Sequence, residues 1–131
     1  MMSTIADELE AARRATLERF AQAWSARDVD GVLACMSVMC LYGASVGPEP
    51  GRTFRGKAEV HAGVLAMWAH DKTIRSEITN LRIYGDHAVW EWRYFRLDDA
   101  GRDVMDHGCD LITFVGDKMA EKQAFRKVRH V

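Results

Sequence analysis

The second half of the chain is divided into strand-like segments by very short turns, and this feature constrains the fold most. Turn signals stand at Gly85-Asp86, between Asp98 and Gly101, and at Gly116-Asp117. Connections this short join antiparallel neighbours, because parallel strands need a long crossover between them. The sequence therefore predicts an antiparallel meander with strands at residues 73–84, 87–97, 103–115 and 118–128.

The first half of the chain predicts helices. Residues 4–26 have an amphipathic pattern, and Thr4 with Asp7 resembles a capping box at its start. The other elements predicted here are a short helix capped by Asp28, a strand at 40–45, an irregular loop at 47–51 and a helix at 57–70. Helices followed by an antiparallel sheet indicate an α+β fold, and the length of 131 residues predicts one domain over residues 1–131.

Composition excludes several classes of function. A formal net charge of −1 gives no general attraction to nucleic acid or to an anionic membrane. Charged side chains in the first 20 residues argue against a signal peptide, and no segment is long and apolar enough to span a membrane. Three cysteines without a CxxC pair predict reduced thiols in a cytoplasmic protein. Five histidines in no ligand-like cluster predict no metal site.

Asp110 is the residue that points most directly to chemistry. Strand alternation places Asp110, Ile112 and Phe114 on one face, where an ionised carboxylate is costly. Apolar surroundings favour the protonated form of a carboxyl, which can donate a hydrogen bond or a proton. The alternative is a structural carboxylate paired with Lys122 or Arg126, whose parity on the last strand directs them toward the same side.

Aromatic residues predict an apolar ligand pocket. Trp90, Trp92 and Tyr94 share one strand face and could line a site for a planar or polycyclic compound. Core packing is the alternative, above all for Trp90. Tyr42 could donate a hydrogen bond in the pocket, although a buried ring with its hydroxyl at the edge is the commoner arrangement. The candidate pocket residues are Phe20, Trp24, Tyr42, Phe54, Trp68, Trp90, Trp92, Tyr94, Ile112, Lys122 and Arg126.

Three segments in this order and spacing resemble the nuclear-transport-factor-two-like superfamily. They are Glu18–Trp24 running into Asp28–Leu33, then Val46–Pro50 with Phe54–Gly56, and Cys109–Phe114 with Gly116–Met119. The superfamily includes ketosteroid isomerases and SnoaL-like polyketide cyclases. The resemblance implies a cystatin-like α+β barrel, in which a curved antiparallel sheet forms a cone around N-terminal helices. It also implies a homodimer, with Glu91 and Arg93 of the outer sheet face as candidate contributors.

The resemblance argues against a true ketosteroid isomerase. Those enzymes use an aspartate base together with a tyrosine and a protonated aspartic acid that bind the substrate oxygen. Asp110 falls at the position of the protonated acid, but Phe20 replaces the tyrosine and Ala44 replaces the base. SnoaL-like cyclases imply instead an aldol-type ring closure by a pocket acid or base, without a metal or an organic cofactor.

The sequence thus predicts a pocket protein for a hydrophobic or aromatic small molecule. Its chemistry would be cofactor-free acid/base catalysis of the isomerase, cyclase or dehydratase kind, with Asp110 as the catalytic residue. One alternative is a non-catalytic carrier or sensor that uses the same pocket. Another is a dimeric interaction module with a filled cone, which predicts no cavity as large as about 300 Å³.

Overall fold

The computed structural model describes residues 4–48 and 51–127. Its three helices are α1 (Ile5–Ser25), α2 (Val29–Ala34) and α3 (Gly56–His70). Its six strands are β1 (Met36–Gly43), β2 (Thr53–Arg55), β3 (Arg75–Tyr84), β4 (His87–Leu97), β5 (Asp103–Val115) and β6 (Lys118–Arg126). The predicted α+β fold is confirmed, and so are the helices and the four strands of the second half.

The strands form one curved six-stranded sheet in the order β2-β1-β6-β5-β4-β3. Strands β3 to β6 pair antiparallel in sequence order, which confirms the predicted meander. The prediction missed β2, and it missed the parallel pairing of β1 with β6 that closes the sheet beside α3. Residue 128, the predicted end of the last strand, lies outside the described residues, as do residues 49 and 50 of the predicted loop.

Side-chain caps begin the first two helices. The Thr4 hydroxyl accepts from the Asp7 backbone N–H while the Asp7 carboxylate accepts from the Thr4 N–H, so the predicted capping box is present. Asp28 accepts from the N–H of Gly31 at the start of α2. The Asp28 cap lies in the short turn that joins α1 to α2.

The core lies between the helices and the concave face of the sheet. Leu17 of α1, Val32 of α2 and Val60 of α3 are fully buried there. In β4 the alternation of side chains buries Trp90 and Trp92 against these helices.

Arg13 holds two hairpin turns against α1. Its guanidinium donates to the carbonyl oxygens of Gly85 (2.6 Å) and Gly116 (2.8 Å) and lies over the ring of Phe114. Both glycines have positive φ, the conformation that these tight turns require. Arg13 therefore fixes the end of the cone opposite to the opening.

Candidate functional site

A cavity of about 660 Å³ occupies the open end of the cone. It lies between α1, α3, β1 and the concave face of β4 to β6. Its volume falls in the range of small-molecule sites. The prediction attached to a filled cone, that no such cavity exists, is therefore wrong. Aromatic side chains supply much of the wall: Trp24, Tyr42, Phe54, Trp68, Trp92 and Tyr94.

The aromatic rings of the wall form two nearly parallel pairs. Trp24 stacks with Tyr42 at a centroid separation of 6.0 Å, and Trp92 stacks with Tyr94 at 4.6 Å. Trp68 meets Trp24 edge-on at 5.2 Å. Stacked rings present flat, apolar faces, and the wall is therefore complementary to a planar aromatic compound.

Asp110 lies at the base of the cavity and is 2% exposed. Its carboxylate accepts from the indole N–H groups of Trp90 (2.5 Å) and Trp92 (3.1 Å). The ammonium of Lys122 lies 3.2 Å away. Strand register produces this arrangement, because Trp90 stands directly opposite Asp110 in β4 and Lys122 is a diagonal neighbour in β6. Asp110 is thus paired with Lys122, as the structural alternative predicted.

Lys122 connects Asp110 to Tyr42. Its ammonium donates to the Tyr42 hydroxyl oxygen at 3.1 Å and lies over the Tyr42 ring. Burial acts to lower the pKa of Lys122, but the charge of Asp110 and the neighbouring hydroxyls of Tyr42 and Tyr94 together outweigh it, so the pKa lies above the ordinary lysine value. Burial raises the pKa of Tyr42, so its hydroxyl keeps its proton. Asp110 and Lys122 thus form a buried ion pair that is joined to the Tyr42 hydroxyl.

The Tyr42 hydroxyl has an unused donor. A tyrosine hydroxyl carries one O–H donor and also accepts, and here the oxygen accepts from Lys122. The described residues provide no acceptor for its proton. Because Tyr42 lines the cavity, this O–H can donate to an oxygen of a molecule bound there.

A second charged cluster lies at the mouth of the cavity. Asp106 of β5 accepts from Arg96 (2.8 Å) and forms an ion pair with Arg126 (3.2 Å). The Arg126 guanidinium lies over the Trp92 ring, 5.0 Å from its centroid. One carboxylate therefore faces two guanidinium groups on the wall of an aromatic cavity.

A family model described as "SnoaL-like domain" matches residues 17–122. The chain belongs to the SnoaL-like domain family. The match runs from Leu17, in the middle of α1, to Lys122, and it includes the aromatic wall and the Asp110–Lys122–Tyr42 cluster. No protein with a curated description matches the sequence significantly.

Solved structures share the SnoaL-like fold at low sequence identity. An NTF2-like protein of unknown function from Burkholderia pseudomallei K96243 is 19% identical, with 88% of this chain and 91% of that chain covered and a TM-score of 0.78. A protein of ketosteroid isomerase-like fold from Catenulispora acidiphila, in complex with trimethylamine, is 18% identical (84% and 83% covered, TM-score 0.70). TerC co-crystallised with polyporic acid is 15% identical (88% and 92%, TM-score 0.72).

The structure brings most of the predicted SnoaL-like site residues to the cavity. Nine of the twelve line it: Trp24, Tyr42, Phe54, Trp68, Trp92, Tyr94, Asp110, Lys122 and Arg126. Phe20 and Trp90 line instead a small adjoining cavity of about 20 Å³, whereas Ile112 lines neither cavity and its prediction as a lining residue requires correction. The Trp90 ring packs against Phe20 at 6.2 Å, where α1 fills the narrow end of the cone, and Ile112 is buried in the core. Trp90 still contributes through its N–H bond to Asp110.

Sequence reasoning missed Arg96 and Asp106. The alternation of side chains along each strand would have placed both residues on the cavity side. Arg96 follows Tyr94 by two residues on one face of β4, and Asp106 stands opposite Tyr94 in β5. The predicted pocket residues of β4 ended at Tyr94, and those of β5 did not extend to the charged residue opposite it.

Residues beside Asp110 in sequence lie on the other sheet face. His107 contacts Glu91 at 3.1 Å there, and the β4–β5 register is unbroken, so no His–Asp dyad forms. Burial raises the pKa of the Cys109 thiol, which disfavours the reactive thiolate.

The described residues contain no group of three or more His, Cys, Asp or Glu side chains able to hold a metal ion. None of the described helices is long and apolar enough to cross a membrane.

Proposed function

We propose that this SnoaL-like domain binds a planar hydrophobic compound and directs its carbonyl oxygen to Tyr42 and Lys122. One observation carries the proposal: the Tyr42 hydroxyl accepts from Lys122 and keeps its own proton free at the base of an aromatic cavity. An O–H donor beside a fixed ammonium polarises a carbonyl group and stabilises negative charge that develops on its oxygen. The flat rings of the wall supply the contact area.

We further propose cofactor-free acid/base chemistry at this site. Asp110 would accept a proton from the carbon next to the carbonyl, and the electrons of that C–H bond would move into an enolate whose oxygen accepts from Tyr42. A carboxylate has about four acceptor sites, and Trp90, Trp92 and Lys122 occupy three of them. Return of the proton to another carbon would be an isomerisation, loss of hydroxide a dehydration, and attack of the enolate on a second carbonyl a cyclisation.

The arrangement differs from that of a ketosteroid isomerase. Phe20 is buried in the core and has no polar group, and Ala44 lines the cavity without a carboxylate. Tyr42 of β1 would supply the donor that Phe20 of α1 lacks. These differences support a substrate and a reaction of the cyclase or dehydratase kind in preference to steroid isomerisation.

A carrier or sensor function is the second candidate, and the engagement of Asp110 favours it. A carboxylate held by two indoles and an ammonium is suited to keeping Lys122 charged and in place. Hydrogen–deuterium exchange separates the two functions. We expect the methyl protons of bound 2-acetylnaphthalene to exchange in D₂O faster with the protein than without it. Binding without accelerated exchange would support the carrier.

Tyr42→Phe tests the role of the hydroxyl in either function. We expect affinity for 2-acetylnaphthalene, measured by tryptophan fluorescence, to fall about tenfold, because one hydrogen bond to the carbonyl oxygen is lost. Tyr84→Phe is the matched control. It removes the same hydroxyl group from a surface residue that is 62% exposed. Equal affinity in the two variants would contradict the proposed orientation of the carbonyl.

The dimer and the compartment remain proposals. Leu111 and Phe125 expose about half of their surface on the outer sheet face, which supports burial of that face against a second copy. Free thiols at Cys35, Cys40 and Cys109 support a reducing, cytoplasmic environment. Sedimentation equilibrium tests the dimer, and a monomer at micromolar concentration would contradict it.

A further inference from the structure

Two buried donors without partners identify a further property of the cavity. Among the described residues, the buried side-chain atoms that lack a hydrogen-bond partner are Trp68 Nε1 and Arg126 Nε. Both residues line the cavity. Buried polar groups in folded proteins nearly always have a partner, and each exception calls for a physical explanation. Trp68 belongs to α3 and Arg126 to β6, and a bound molecule that supplied acceptor atoms to both N–H groups would satisfy them.

The charges of the residues that line the cavity also indicate a ligand that carries acceptor atoms. Its cations are Arg52, Lys72, Arg96, Lys122 and Arg126, and its acids are Asp71, Asp106 and Asp110. At the base, Lys122 and Asp110 compensate each other. At the mouth, Arg96 and Arg126 share Asp106, so one positive charge there has no counterion among the lining residues.

We propose that the ligand is a planar aromatic carboxylate whose charged end binds Arg126 at the mouth of the cavity. The proposal rests on the proposed function, because the aromatic ring system and the carbonyl at the base come from it. The carboxylate of the ligand would accept strong, charge-assisted hydrogen bonds from the Arg126 guanidinium. It would also add a second negative charge, because Asp106 supplies only one to the two arginines. The Trp68 indole N–H is a further donor for the oxygens of the same molecule.

Strand geometry sets the length of this ligand. Lys122 and Arg126 are four residues apart on the same face of β6, a separation of roughly 13 Å along an extended strand. Both residues line the cavity. A fused two-ring system with a carbonyl substituent at one end and a carboxylate at the other suits that span.

The test compares a charged and a neutral probe of the same shape. 6-Acetyl-2-naphthoate and 6-acetyl-2-naphthamide differ by the carboxylate, which is ionised at pH 7. We expect the acid to bind at least about tenfold more tightly than the amide in calorimetric titrations. Arg126→Met should remove most of that difference and leave the affinity for the amide within about twofold.

Two further variants keep the test informative. Lys127→Met removes the same charge from an exposed neighbour and should leave the preference for the acid unchanged. Arg126→Lys keeps the charge but loses the forked geometry, and it should retain part of the preference if Arg126→Met fails to fold. If the wild-type protein binds the acid and the amide with equal affinity, the inference of an anionic ligand is overturned, while the proposed function remains intact. No binding of these probes or of 2-acetylnaphthalene would overturn the proposed function, and this inference with it.

Discussion

Lys122→Met should lower the free energy of unfolding by about 3–5 kcal/mol, because it leaves a buried carboxylate without its cation. Asp110 is 2% exposed, and after this change only the two indole N–H groups remain to stabilise its charge. Methionine fills a similar volume, so the loss reports mainly on charge. Urea denaturation followed by circular dichroism measures the effect.

A double-mutant cycle separates pairing from packing. Asp110→Asn alone leaves Lys122 as the unpaired buried charge and should also be strongly destabilising. Asp110→Asn combined with Lys122→Met removes both charges, and we expect it to be clearly more stable than the sum of the single changes predicts. Lys127→Met on the surface is the control and should change stability by less than about 0.5 kcal/mol. Additive single losses would show that the two charges do not stabilise each other.

Stability should fall steeply above pH 10. In the folded protein the pKa values of Tyr42 and Tyr94 are raised mainly by burial, and that of Lys122 is raised by Asp110 against the effect of burial. The unfolded chain releases these protons near the ordinary values of 10.0 and 10.5. Above that pH the folded state holds more protons than the unfolded state, so the free energy of unfolding decreases as pH rises. Each group contributes about 1.4 kcal/mol per pH unit while it differs between the two states.

Thermal unfolding between pH 8 and pH 11 measures this dependence. Burial also raises the pKa of the Cys35 and Cys40 thiols above 9.0, and the decline should therefore begin near pH 9 and steepen above pH 10. Tyr42→Phe removes one of the three groups that titrate above pH 10 and should flatten the steep part of the curve. A melting temperature that stays constant from pH 9 to pH 11 would show that these groups titrate in the folded state as they do in the unfolded state.

Local signals account for the part of the fold that the sequence predicted. The Thr4 capping box, the Asp28 cap and the hairpin turns are set by residues within a few positions of one another, so the sequence shows them directly. The pairing of β1 with β6 joins residues about 80 positions apart, such as Tyr42 and Lys122. No local pattern specifies that contact, and it is the contact that brings the Tyr42 hydroxyl to the ammonium.

The candidate site likewise combines features that local sequence signals predicted with features that depend on contacts between distant residues. Alternation predicted that Asp110 and Lys122 lie on one side of the sheet, and the two side chains meet there. It could not show that the indole N–H groups of Trp90 and Trp92 meet the carboxylate, because that depends on strand register and on the rotamers of both rings. Apolar neighbours in sequence therefore suggested an isolated acid, whereas the neighbouring strands surround Asp110 with donors.

The most direct test of a ligand site at Tyr42 and Lys122 uses the four tryptophan side chains as reporters. Trp24, Trp68 and Trp92 line the cavity, whereas Trp90 does not. A ¹H–¹⁵N spectrum resolves one indole signal for each, assigned by single Trp→Phe variants. On titration with 2-acetylnaphthalene, the indole signals of Trp24 and Trp68 should shift with one common dissociation constant and move further than that of Trp90. Unchanged indole signals at millimolar probe would contradict a small-molecule site in this cavity.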